Sequence, residues 1–219
     1  MDLVTTKPYF IGIAGPSGAG KSVFCRLMQA NFAGVSRLKL DDFFKNVGDV
    51  PKILDWTNWD DPSSIKWDEL VQAAAALKSG KYAIVPHYSR KEDRMVGEKC
   101  VFSSPIILVD GFLSLYDERL RDLIDLKIFF NLSEDSQVKR RKLRQPWVED
   151  GYIENVLLPN ARQHVIPTKH HADFIVNAEL PPQSVADYCV GIISLALKDR
   201  IKKLGTRRRF ETVSITAKV

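Results

Sequence analysis

The sequence predicts an α/β fold, a parallel sheet with helices on both faces and a small lid, built as one domain over residues 1–205. Three observations predict it. An apolar run from Phe10 to Ala14 enters the glycine-rich segment GPSGAGKS, Gly15 to Ser22, and an amphipathic run follows. A later run, IILVDGF, opens on four consecutive large aliphatics, as a strand buried on both faces does, and LKIFFNL is a further central-strand candidate. Helical patterns separate the strand-like pieces, with few hairpin signals between them.

Composition sets the outer bounds. The chain has 219 residues, 45% hydrophobic and 27% charged, enough for one buried core with little left for a second domain. A formal charge of +5 suits anionic small substrates and gives no strong pointer to nucleic acid. Cys25, Cys100 and Cys189 are scattered without CxxC spacing, which argues against a disulfide framework and for a reducing compartment. His87, His164, His170 and His171 lack metal-ligand spacing, so no zinc site is expected. No apolar stretch approaches the roughly 18–20 residues of a membrane span, and MDLVTTKPYF lacks the pattern of a secretory signal. A cytoplasmic protein without membrane or nucleic-acid partners is expected.

The first strand, Phe10 to Ala14, delivers the pattern G-x-x-x-x-G-K-[ST] in the strand–loop–helix setting it requires. Gly15, Gly18 and Gly20 let successive N–H groups turn inward around phosphate oxygens, and the following helix, Val23 to Asn31, adds its N-terminal partial charge. Gly15, Pro16, Ser17, Gly18, Ala19, Gly20, Lys21, Ser22 and Val23 are therefore the expected ATP cradle. Lys21 reaches the transferring phosphate and Ser22 ligates Mg²⁺. A short strand, Ser36 to Leu40, places Asp41 and Asp42 at a carboxyl end, where parallel sheets bind ligands. One of the pair is a candidate base for a substrate hydroxyl, and the other a candidate helix cap.

Between Asn46 and Trp67, Pro51 and Pro62 oppose continuous regular structure. There Trp59 beside Asp60 offers a face to stack a base and a carboxylate to hold ribose hydroxyls. Ser63 or Ser64 is expected to open a helix carrying Leu70, Val71, Ala74 and Leu77 and ending at Gly80. Tyr82 to Val85 reads as a strand leading into the polar loop PHYSRKEDR, with Tyr88, Arg90 and Arg94. IILVDGF then ends in Asp110–Gly111, the arrangement of a second carboxylate that holds Mg²⁺ directly or through water.

LKIFFNL precedes a helix opened by Ser133 or Glu134, on which Arg140, Arg141 and Arg144 lie within one turn. With QPWVEDGY after it, this region, about 136–160, reads as a lid whose arginines close on ATP and the moving phosphate. Asn155 to Gln163 is expected to be helical but broken at Pro159, and ADFIV at 172–176 to be a last strand. Pro181–Pro182 starts a helix from Val185 to Lys203. The basic tail 206–219 admits three readings, an added strand, a flexible tail or a homo-oligomer contact.

Taken together, GPSGAGKS, LDDFF, NWDDP, IILVDGF, VKRRKLRQ and IPTKHHADFIV resemble the uridine kinase branch of the P-loop kinases, which also includes nicotinamide riboside kinases. The resemblance runs from about Phe10 to Ile193. It implies Asp41 as the base that polarises a ribose 5′-hydroxyl, Asp60 on the ribose hydroxyls and Trp59 against the base. It also implies Asp110 near Mg²⁺, and Arg141 and Arg144 on phosphates. Two stretches depart from uridine kinases. PHYSRKEDR keeps Tyr88 but lacks the Asp-Phe and the histidine of the pyrimidine-reading loop. QPWVEDGYIENVLLP replaces the arginine-glycine-arginine lid and is similar to nicotinamide riboside kinases, where an aromatic near Tyr152 covers a cationic base. IPTKHHAD points back to uridine or cytidine. The implied activity is ATP- and Mg²⁺-dependent phosphorylation of a nucleoside 5′-hydroxyl. The alternatives are a kinase of a non-nucleoside alcohol (pantothenate, a sugar or a sugar phosphate) and a regulatory P-loop NTPase.

Overall fold

In the computed structural model, which describes residues 7–89, 92 and 94–198, the five strands of the main sheet run parallel. β1 (Tyr9–Ala14) is central, flanked by β7 (Ile106–Asp110) and β8 (Leu126–Asn131), with β2 (Val35–Lys39) and β9 (Phe174–Asn177) at the edges. β1 and β7 are buried almost throughout, which is why their sequences lack alternation. Side chains still alternate between two cores. Phe10, Ile107, Val109 and Phe129 face one, and Ile11, Ile13, Leu108 and Phe130 the other.

α1 (Lys21–Asn31) covers the second face with Phe24, Cys25 and Met28, alongside α7 (Pro182–Ala196) with Val185, Cys189 and Ile193. α2 (Trp67–Lys78) covers the first face through Leu70, Ala73, Ala74 and Leu77. Its start differs from expectation. Neither Ser63 nor Ser64 caps it; Pro62–Ser64 is a separate 3₁₀ turn capped by Asp61, and α2 begins after Lys66 without a side-chain cap. A two-residue ladder, β3 (Lys52–Ile53) with β4 (Trp56–Thr57), precedes it.

The larger correction concerns PHYSRKEDR. Its first half is strand: β5 (Ala83–Ser89) pairs antiparallel with β6 (Arg94–Val101) as a long hairpin outside the main sheet. The alternation is masked because Pro86, His87 and Ser89 are tolerated on a two-stranded ribbon whose outer face and edges meet solvent. Lys99 of β6 ties this hairpin to the buried Asp42 at 2.6 Å, with Lys39 at 3.5 Å from the other side.

After the short α3 (Glu118–Arg121), β8 leads to α4 (Glu134–Arg144), with Ser133 as its N-cap. Glu179 takes hydrogen bonds from Ser133 N, Ser133 Oγ and Ser136 Oγ, which push its carboxyl down to about 2 and pin the start of α4 to the sheet edge. Pro159 does not break the next helix. Residues 150–171 form one helical run in which α5 (Asp150–Tyr152) and α6 (Leu158–Asn160) alternate with wider π turns, Ile153–Leu157 and Ala161–Val165, before a 3₁₀ end. The wider turns absorb the missing proline N–H and ring bulk without ending the run. Among the described residues no helix is long and apolar enough to cross a membrane. The tail 206–219, Arg90 and the end of the expected last helix lie outside the described residues.

Candidate active site

The tips of β1, β7 and β2 are neighbours in the sheet, and everything expected of the site except Arg94 gathers above them. After Ala14 the chain turns through Gly15 at φ 132°, where a Cβ would sit 2.3 Å from the Phe130 carbonyl oxygen; no other residue fits there. Gly20 (φ 87°) caps α1, and a Cβ there would meet nothing within 4 Å, so the loop stays open toward the cleft. Lys21 is buried and donates to the loop's own carbonyls, Gly15 O at 2.6 Å and Pro16 O at 2.8 Å. The loop thereby holds its cation along the line of its backbone.

At the tip of β7, Ser22 Oγ donates to Asp110 Oδ2 at 2.9 Å. Asp110 Oδ1 is buried without a hydrogen-bond partner. A hydroxyl oxygen beside an unpaired carboxylate oxygen suits a hard divalent cation bound with a phosphate. No cluster of three His, Cys, Asp or Glu side chains among the described residues offers an all-protein metal cage. The residues therefore fit Mg²⁺ brought with a triphosphate. Sequence reasoning missed the third member here: Arg37 of β2 also bonds Asp110 Oδ2, through Nε at 2.9 Å and through Nη2.

α4 lies across the phosphate loop. Arg141 Nη1 and Arg144 Nη2 both donate to Ser17 Oγ, at 3.4 and 3.0 Å, while Arg140 donates to the carbonyls of Gly18 (3.2 Å) and Ala178 (2.9 Å). The three arginines thus divide into two that face the loop hydroxyl and one that joins loop to sheet edge.

Opposite the loop, Asp41 follows β2 on a 3₁₀ turn (Leu40–Phe43) and lines the same cleft, of about 460 Å³, as Lys21, Asp60 and Asp110. Neither Asp41 nor Asp42 caps that turn; Asp42 points into the core, where Lys39 and Lys99 pair it. Trp59 and Tyr88 form an aromatic wall with Phe44, with ring centroids 5.2 Å (Phe44–Trp59) and 5.8 Å (Phe44–Tyr88) apart, and Phe112 stacks behind Phe44. Phe44 and Phe112 were not expected in the site, although each is the last residue of a quoted motif, LDDFF and IILVDGF. Asn58 anchors this loop from beneath, donating to Asn160 of the helical run at 3.3 Å.

Asp60 accepts a hydrogen bond from the Tyr152 hydroxyl at 2.8 Å, and the Arg141 guanidinium lies 5.6 Å from the Tyr152 ring centroid. Burial raises the Asp60 pKa, the Asp41 charge adds to the rise, and Arg141 and Tyr152 oppose it. Burial, with the Asp60 charge beside it, likewise raises that of Tyr152. Arg94 is placed elsewhere. It pairs with Glu92 at 2.6 Å at the hairpin end, largely exposed and away from the cleft lining.

A family model described as the phosphoribulokinase / uridine kinase family matches residues 10–186. The uridine kinase of Halobacterium salinarum is 32% identical over 79% of this chain and 81% of its own length. Uridine-cytidine kinase A of Dictyostelium discoideum is 32% identical over 89% of this chain, but the chain spans only 41% of that relative. Among solved structures, a possible uridine kinase of Bacillus stearothermophilus superposes with a TM-score of 0.56 at 17% identity, covering 79% of this chain and 90% of that one. Phosphoribulokinase from Rhodobacter spheroides does so with 0.57 at 13%, covering 78% and 70%. At those identities the likeness is one of fold.

Proposed function

The chain belongs to the phosphoribulokinase / uridine kinase family, and we propose that it transfers the γ-phosphoryl of ATP to the 5′-hydroxyl of a nucleoside. Uridine and cytidine are the first acceptors to test, because the relatives carry those names; nicotinamide riboside is the next. One observation carries the reading. Residues of the glycine-rich loop, the Asp41 and Asp60 carboxylates and the Trp59 ring share the lining of a single cleft.

In this reading Gly15–Val23 wraps the β- and γ-phosphates, with Lys21 released from its loop carbonyls to the phosphate. Arg141 and Arg144 close from α4 and offset charge that develops on the moving phosphoryl. Asp60 holds the ribose hydroxyls and Trp59 backs the base. Asp41 takes the proton of the 5′-hydroxyl as its oxygen attacks. Ser22 and Asp110 would hold Mg²⁺, which when bound neutralises phosphate charge. Most of the acceleration comes from positioning and preorganised charge.

The test is ADP release from ATP with a panel of uridine, cytidine, nicotinamide riboside, pantothenate and simple sugars. Turnover with a nucleoside, yielding its 5′-monophosphate, supports the reading. Turnover confined to pantothenate or a sugar would replace the nucleoside, and ATP hydrolysis indifferent to every acceptor would make the chain a regulatory NTPase.

A further inference from the structure

Arg37 has no place in the scheme above, yet its contact with the site is direct. It stands in β2 opposite Leu108 of β7, two residues before Asp110, so its side chain runs along the sheet to the strand tip. There Nε and Nη2 bond Asp110 Oδ2, the same oxygen that accepts from Ser22. Arg37 and Asp110 are only 11% and 4% exposed, and Arg37 does not itself line the cleft.

We propose that Arg37 is a positioning residue that locks the Asp110 carboxylate and offsets its charge, so that a divalent cation enters with the triphosphate rather than on protein affinity alone. The geometry supplies both halves. With Oδ2 occupied by a guanidinium and a hydroxyl, Asp110 has one rotamer and one unpartnered oxygen, Oδ1. Charge does the rest. Arg37 offsets the Asp110 charge directly, and in the cleft lining the cations Lys21, Arg26, Arg140, Arg141 and Arg144 outnumber the carboxylates Asp41, Asp60 and Asp110. A bare dication meets net repulsion there, whereas a phosphate-bound one brings its own counter-charge. The inference rests on reading this cleft as a Mg²⁺–ATP site.

The experiment is a Mn²⁺ titration of the full chain without nucleotide, followed by the loss of the free-ion electron paramagnetic resonance signal. Arg37→Met and Arg37→Gln are expected to bind Mn²⁺ roughly tenfold tighter than the wild type, since each removes one repelling charge from a poorly solvated site. Arg37→Lys should titrate like the wild type, and adding Asp110→Asn to Arg37→Gln should cancel the gain. Arg37→Gln retains a donor should the apolar variant fail to fold. The proposal falls if folded Arg37→Gln binds Mn²⁺ no better than wild type, or if Arg37→Lys gains as much as Arg37→Gln. Neither acceptor nor turnover enters the measurement, so an acceptor panel that fails leaves it standing. Wild type that does not bind Mg²⁺–ATP in a parallel titration removes the premise and the inference together.

Discussion

The Tyr152 hydroxyl donates to the Asp60 carboxylate across 2.8 Å, joining the lid to the loop that carries Trp59. The bond spans 92 residues of sequence and brings the lid's aromatic residue to the proposed sugar-binding carboxylate. Burial, against the pull of this bond, makes Asp60 a titration point. Because its pKa is raised, chiefly by burial and then by Asp41, Asp60 takes up its proton above the usual carboxylate range as pH falls. A neutral carboxyl is a poorer acceptor for sugar hydroxyls. The KM for the nucleoside should therefore rise as pH falls through that raised value. Tyr152→Phe removes a bond that favours the charged form, so the rise should begin at higher pH. Asp60→Asn should flatten it while raising KM throughout; initial rates across a pH series check all three.

The roles given to Lys21 and Asp41 predict losses in kcat rather than in stability. Lys21→Ala should lower kcat by about 10²–10³, and Asp41→Asn by about 10²–10⁴. Thermal melts of both should stay close to wild type. An Asp41→Asn enzyme with near-normal kcat would remove Asp41 as the base.

Trp59 meets Phe44 edge to face, and its indole belongs to the wall of the cleft. Trp59→Ala should raise the acceptor KM by about tenfold, the worth of one good aromatic contact, and leave the KM for ATP unchanged. Steady-state kinetics with each substrate varied in turn distinguish the two.

Gly111 follows Asp110 where the chain passes Leu40, and a Cβ there would lie 2.3 Å from Leu40 Cβ. Gly111→Ala forces apart the two strand ends that carry Asp110 and Asp41. We expect a loss of about 2 kcal/mol and a Tm lower by roughly 4–8 °C, measured by urea unfolding and thermal melting.

The hairpin is held to the site by Lys99 and the buried Asp42. Among the described residues, Lys99→Met leaves that carboxylate the longer ion pair to Lys39, at 3.5 Å, and should cost about 3 kcal/mol. Asp42→Asn in the same chain should recover part of it, because the buried charge is gone. Tyr88 rides on the same hairpin, so the acceptor KM should rise with Lys99→Met.

What could be read from the chain alone was what local physics encodes. Gly15 through Ser22 specify a phosphate loop because only glycine tolerates those backbone angles. β1 and β7 announce themselves because burial on both faces demands nearly unbroken apolar residues, and β8 follows with Ile128, Phe129 and Phe130 buried in a row. Asp41, Asp60 and Asp110 stand out as carboxylates at strand or motif ends. What only the tertiary structure decided was pairing. β5 and β6 are weakly patterned because a ribbon with its outer face in solvent tolerates polar residues and a proline, and Pro159 reads as a break unless a wider helical turn absorbs it. Arg37 sits in β2 like any edge-strand residue, and Arg94 in a motif-like loop, yet the first meets Asp110 and the second pairs with Glu92 at the hairpin end. Such choices are made by strand register and by charges brought together from distant positions, which no local pattern records.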